Sequence, residues 1–174
     1  MGIDPVKAFL VLFAAVLVQV SVLSAYTLFG GTADVVLVTL LSIALLRGSV
    51  FGAAAGFGAG LLLDVAHLET LGFTSLLLTV AGFWIGRYGE TTARDRFHAP
   101  YTSVAVVTVL YAFGALALRF VLGESAPADL VVSALPGNLL LNLLLTLPVY
   151  ALVRRMFPPL AASDRVREVR LLGQ

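Results

Sequence analysis

Four glycines, Gly48, Gly52, Gly56 and Gly60, stand at intervals of four, and the next step of four lands on Asp64. They lie inside an apolar run, GSVFGAAAGFGAGLLLD. On a helix such a series forms one slowly winding ridge, because four residues overshoot a full turn by about 40°. In water this is a poor helix, since each interior glycine costs roughly 0.8–1 kcal/mol relative to alanine. In lipid the backbone can hydrogen-bond only to itself, so helix is enforced, and small residues let a neighbour pack against bare backbone. A second, shorter ridge follows at Gly82 and Gly86. The stretch therefore reads as two tightly packed membrane helices joined by a short acidic turn.

Composition widens this to the whole chain. Of its 174 residues 60% are apolar and 12% charged, with a mean hydropathy of +1.02. A soluble domain carries about 25% charged residues, so the fold class is an all-α integral membrane protein. The hydrophobic runs predict a single domain, a six-span bundle with spans at about 8–27, 33–47, 49–65, 70–87, 101–122 and 135–154, and a short tail over 155–174. The first run is too long for a signal-peptide core of roughly 7–15 residues and further spans follow, so a retained helix is expected. The second and third runs are short. They read as two complete, tilted spans rather than a re-entrant hairpin, because Arg47 between them can snorkel to the interface. Asp34 or Thr32 is placed to cap the second helix. The DLVVSAL segment reads as a short interfacial helix, with Pro136 in the first turn of the sixth span and a kink at Pro148.

Basic residues orient the bundle. Six spans put Lys7, Arg47, Arg87, Arg94, Arg96, Arg154, Arg155, Arg165, Arg167 and Arg170 on one side. Of the 11 Lys and Arg residues that leaves Arg119 alone on the other. The split predicts both termini in the cytoplasm. The net charge of +1 gives no bulk basicity for nucleic acid, and the absence of cysteine excludes disulfides and thiolate chemistry.

Polar residues inside such a chain are candidates by default. Asp64, His67 and Glu69 form an acidic turn with Gly72. They suit either a proton or substrate site or, the preferred reading, a carboxylate accepting backbone N–H groups at the start of the fourth helix. Arg119 is the candidate ion-pair partner of Asp64, Glu69 or Glu124. Asn138 and Asn142 share a face of the sixth helix and call for interhelical hydrogen bonds or, as a second reading, a ligand cavity. The glycines at 48, 52, 56, 60, 82 and 86 serve packing within the chain, contact with a partner, or self-association. Arg47, Arg87, Arg154 and Arg155 read as topology signals and contacts to anionic lipid. No catalytic set emerges. His67 and His98 fall on opposite sides, no second spanning aspartate accompanies Asp64, and the glycine series lacks the GK[ST] of a phosphate loop. No cofactor or metal is expected, and the chain is not expected to be an enzyme.

The run GFGAGLLLDVAHLETLGFTSLLLTVAGFWIGR resembles the signature of the bacterial rod shape-determining protein MreD family. That pattern is a glycine-rich helix ending G-L-L-x-D, a short loop, then L-G and an apolar helix ending near a glycine and a basic residue. The last span, LPGNLLLNLLLTLPVYALVRR, is similar to that family's final helix. Residue by residue the match supports Gly56, Gly60, Asp64 and Gly72, with Asn138 and Asn142 in the last span. The resemblance implies a fold like that of the substrate-binding subunits of energy-coupling-factor transporters. It also implies a non-enzymatic subunit of the peptidoglycan elongation machinery in the bacterial inner membrane. Its implied partners are MreC, RodA, a class B penicillin-binding protein and, on the cytoplasmic side, MreB.

From this follows a mechanistic expectation: the glycine ridge at Gly56 offers a groove to the single transmembrane helix of MreC, with the asparagines adding hydrogen bonds. The competing function is capture of a small, vitamin-like molecule in a cavity near Asp64, Arg119 and Asn138, as in a transporter subunit. A lipid in that cavity is a third reading.

Overall fold

The computed structural model describes residues 3–23, 30–68, 70–93, 98–123 and 128–157. Six α-helices follow one another: α1 (Ile3–Ser21), α2 (Val35–Arg47), α3 (Ser49–His67), α4 (Phe73–Tyr88), α5 (Ala99–Val121) and α6 (Ala128–Met156). A π-helical turn, Gly89–Ala93, extends α4.

The shortest helix is the centre of the molecule. Every residue of α2 from Val36 to Leu46 is buried, and α2 packs against all five other helices. Apart from Thr39 and Ser42 the buried stretch is apolar all round because protein surrounds it, the pattern of a core helix rather than an amphipathic one. Leu37, Leu40, Leu41 and Ile43 form the core with Leu78 of α4 and Val104 of α5. At 13 residues, α2 is about 20 Å long, against a hydrocarbon core of about 30 Å. The helices long and apolar enough to cross a membrane are four: α1, α3, α5 and α6. The six spans inferred from hydropathy thus resolve into four such helices plus the shorter α2 and α4. A helix capped at both ends by protein need not match the bilayer.

The lipid-facing surface is what a membrane bundle requires. Large apolar side chains such as Leu110, Phe113, Leu144 and Leu147 are more than half exposed, and Trp84 stands out at 65%. Between lipid tails such exposure costs nothing, since the surroundings are as apolar as the side chain.

Two boundaries depart from the sequence reading. The interfacial helix expected before Pro136 is the opening of α6 itself, which runs unbroken over 29 residues with Pro136 and Pro148 inside it. Each proline removes one backbone hydrogen bond, but in lipid the freed carbonyls gain nothing from unwinding, so helix persists. The polar connection after Arg87 begins as the π-helical turn, and that geometry delivers Glu90 to the start of α3.

Candidate functional site

Helices α3 and α4 form an antiparallel hairpin whose backbones touch. A Cβ added at Gly52 would lie within 3 Å of the Gly82 carbonyl, and one at Gly82 would strike the Gly52 carbonyl. Gly56 faces the Leu78 carbonyl, Gly60 the backbone of Ser75, and Gly86 the backbone of Gly48 and Ser49. The two glycine ridges therefore cover one another inside a single chain. A seam occupied along its length by α4 has no room for a partner's helix, so a docking groove at Gly56 is ruled out by geometry. Self-association through the ridges meets the same obstacle.

Each end of the hairpin is closed by a carboxylate from the opposite helix. At the end of α3, Asp64 is 1% exposed. Its Oδ2 accepts the Gly72 N–H at 2.8 Å and the Ser75 N–H at 3.4 Å, and its Oδ1 accepts the Thr74 N–H at 2.9 Å. These are otherwise orphaned donors of the first turn of α4, where the helix dipole also favours negative charge. Gly72, at φ +96°, makes the left-handed step that turns those N–H groups toward the carboxylate. At the other end Glu90 Oε1 accepts the Ser49 N–H at 2.8 Å and the Ser49 hydroxyl at 3.0 Å. Gly48, at φ +97°, leaves no room for a side chain there, since its Cβ would overlap Glu90.

Glu90 is a functional candidate that sequence reasoning missed. It sits in a polar stretch that reads as loop, and only the register of the ridges could have found it. Stepping back along α3 and forward along α4 from the Gly52–Gly82 crossing brings residue 90 to the start of α3.

At the Asp64 end of the bundle a second polar junction joins α1, α2, α5 and α6. Asn138 Oδ1 accepts the Thr32 N–H at 2.7 Å and Asn142 Oδ1 accepts the Asp34 N–H at 2.7 Å. Asn142 Nδ2 donates to the Thr108 hydroxyl at 3.1 Å. Gln19 Oε1 accepts the Val35 N–H at 2.8 Å, and Asp34 Oδ1 accepts the Leu37 N–H at 2.9 Å, making Asp34 the cap of α2. The segment from Gly31 to Asp34 is pressed against α6 so closely that a Cβ at Gly31 would meet the Asn138 backbone. The paired asparagines were visible as polar residues in an apolar helix. Their partners were not, because those are backbone N–H groups of a non-helical segment more than 100 residues away. This junction borders a cavity of about 430 Å³ lined by Asn138, Asn142, Asp34 and Arg119, with apolar walls from α5 and α6.

Arg119 stands over the Phe73 ring, 5.5 Å from its centroid, which places a cation beside the first residue of α4. Glu69 lies outside the described residues, as do Glu124 and the tail from 158 to 174.

At the opposite end, Arg47 departs from the snorkelling expectation. Its side chain is 6% exposed, its guanidinium is 3.2 Å from the Asp4 carboxylate, and it lies 5.4 Å from the centre of the Phe157 ring. The N-terminus of α1 and the residue following α6 therefore converge on the end of α2. Arg87 is a surface residue paired with Glu90 at 3.7 Å, and Arg154 and Arg155 are exposed at the end of α6. Arg47, Arg87, Arg154 and Arg155 share this end of the bundle, with Arg119 at the other. Among the described residues no group of His, Asp and Glu side chains could hold a metal ion.

Apolar helices around a buried α2, an interlocked glycine hairpin and polar side chains committed to backbone caps define a polytopic helical membrane protein. The family model for the rod shape-determining protein MreD matches residues 6–156. The chain belongs to that family, whose role is in rod shape determination. No curated protein and no solved structure matches the chain.

Proposed function

We propose that this chain is a non-enzymatic scaffold of the rod-shape peptidoglycan machinery and that it holds the transmembrane helix of MreC. The family supplies the setting. The observation that carries the docking reading is a groove of about 180 Å³ between α1 and α3. Its α3 wall includes Ala54, Ala55, Gly58 and Ala59, and a Cβ added at Gly58 meets nothing within 4 Å. This is a different face of α3 from the ridge. Its Ala54–Gly58 and Ala55–Ala59 pairs have the small-xxx-small spacing that lets helices approach closely in lipid. Phe9 and Leu12 of α1 form the other wall.

In this reading the protein sits in the bacterial inner membrane with both termini in the cytoplasm. The end bearing Arg87, Arg154 and Arg155 meets anionic lipid and the MreB side. RodA and a class B penicillin-binding protein are reached through MreC. Holding one of two MreC conformations more tightly would shift its population and so bias what it presents to the synthase. The test is co-purification of MreC with Gly58→Leu, which fills the groove without touching the α3–α4 seam. Loss of MreC from a folded variant is the expected result; normal recovery of MreC would place the docking face elsewhere.

The cavity beside Asn138 favours a second reading, a small-molecule-binding subunit like those of energy-coupling-factor transporters. A stoichiometric water-soluble ligand in the purified protein would support it, and a bound bitopic protein would support the scaffold.

A further inference from the structure

The cavity at the Asp64 end has a volume of about 430 Å³, within the roughly 300–1,000 Å³ of small-molecule sites. Its α5 and α6 walls are apolar, from Ala112, Ala115, Leu116 and Ala134. Leu130 lines it and is 66% exposed, so the cavity reaches the lipid-facing surface there. Bare apolar walls forfeit dispersion contacts that a hydrocarbon chain restores.

One side chain of the lining has a donor to spare. The Thr32 N–H donates to Asn138 Oδ1 at 2.7 Å, which fixes which end of the amide is nitrogen. That nitrogen makes no hydrogen bond among the described residues, so a neutral donor borders the cavity. Asn142, by contrast, accepts the Asp34 N–H and donates to the Thr108 hydroxyl. Asp34 Oδ1 is committed to capping α2, and Arg119 is engaged over the Phe73 ring. A neutral acceptor answers the Asn138 amide, asks nothing of Arg119, and is compatible with Asp34 protonated or ionised.

Depth identifies the acceptor. With the 20 Å α2 centred in a hydrocarbon core of about 30 Å, its Asp34 end lies about 10 Å from the midplane. Asn142 is bonded to that end, and Asn138 lies one turn further out along α6, about 6 Å beyond it. That puts the Asn138 amide about 16 Å from the midplane, at the edge of the hydrocarbon core. Phosphates lie outside this edge, among the head groups, whereas the acyl ester carbonyls of phospholipids lie on it.

We propose that this cavity is a site for one phospholipid, held by a hydrogen bond from the Asn138 amide to an acyl ester carbonyl. The chain below that ester lies along the alanine walls of α5 and α6. The site reads the linkage between glycerol and chain rather than the head group. It is separate from the groove between α1 and α3 and does not depend on what that groove binds.

The test is native mass spectrometry of the delipidated full chain in detergent, offered equimolar diacyl and dialkyl-ether phosphatidylglycerol with chains of matched length. One diacyl lipid per chain is expected, retained at least about threefold over its ether, the effect of one hydrogen bond inside a membrane protein. The same ratio is expected when both lipids carry an ethanolamine head instead. Asn138→Ala should bring ester and ether to equal retention. Ala134→Phe, which fills the cavity, should remove the bound lipid, and Leu144→Phe on the lipid-facing surface should change neither result. Equal retention of ester and ether by the unaltered chain overturns the proposal, as does an ester preference that survives in whichever cavity variant folds. Triacetin, a water-soluble ester, displacing the lipid at equal concentration also overturns it, by assigning the site to a soluble ligand.

Discussion

Two carboxylates hold the hairpin at the level of single residues. Asp64 satisfies backbone donors at the start of α4, and Glu90 does the same at the start of α3. Asp64→Ala leaves buried N–H groups without a partner, at a cost of about 1–3 kcal/mol. Glu90→Ala should destabilise in the same direction, by less, because the Glu90 side chain is one-third exposed whereas Asp64 is buried. The two sites, at Ser49 and Asp64, stand about 22 Å apart along α3, so the double variant should show additive losses in thermal unfolding in detergent. Arg47 poses a different problem, a guanidinium buried under Phe157 with a half-exposed partner. Asp4→Ala should cost roughly 1–3 kcal/mol, between the values for exposed and buried pairs. Adding Arg47→Met should recover part of that loss, because a buried charge is then gone. A double variant weaker than Asp4→Ala alone would show that the arginine matters through packing rather than charge.

Among the elements, the hairpin is the most constrained. Gly52 and Gly56 meet backbone on α4, which cannot rotate away as a side chain can. Gly56→Leu should therefore abolish folded protein in detergent, while Gly58→Leu leaves its yield and unfolding temperature near normal. Similar losses from both would mean the α1–α3 groove is as tight as the seam. Much of this element could be read directly from the sequence: glycine spacing fixes a ridge, a second ridge follows after a short turn, and Asp64 lies one step beyond the last glycine. What covers a ridge is another matter. Small residues permit close approach by any helix, so the choice between α4 and an outside partner depends on register, which spacing alone leaves open. The length of α2 was legible, but its burial on all sides was not, for a related reason. A short apolar run reads the same whether it is a thinly spanning helix or a core helix, and only neighbours on all sides distinguish the two. Pro136 was legible as a helix-start signal but not as an interior proline, because lipid enforces helix where water would release it.

At the scale of the whole molecule, the chain encloses its own tightest seam and leaves a looser one open. Among the described residues Asp34, Asp64, Glu90, Asn138 and Asn142 each accept a backbone N–H, so these polar side chains hold the bundle together. The small-residue groove between α1 and α3 is then the surface on which a second helix can come close. Because the chain contains no cysteine, single cysteines can be introduced without background. The decisive measurement is disulfide cross-linking in membranes between Gly58→Cys and a series of cysteines along the MreC transmembrane helix, with Leu144→Cys as the comparison. A periodic pattern of cross-links from position 58, recurring every three to four residues of MreC and absent from position 144, is the predicted result. Cross-links from position 144 and none from position 58 would contradict it.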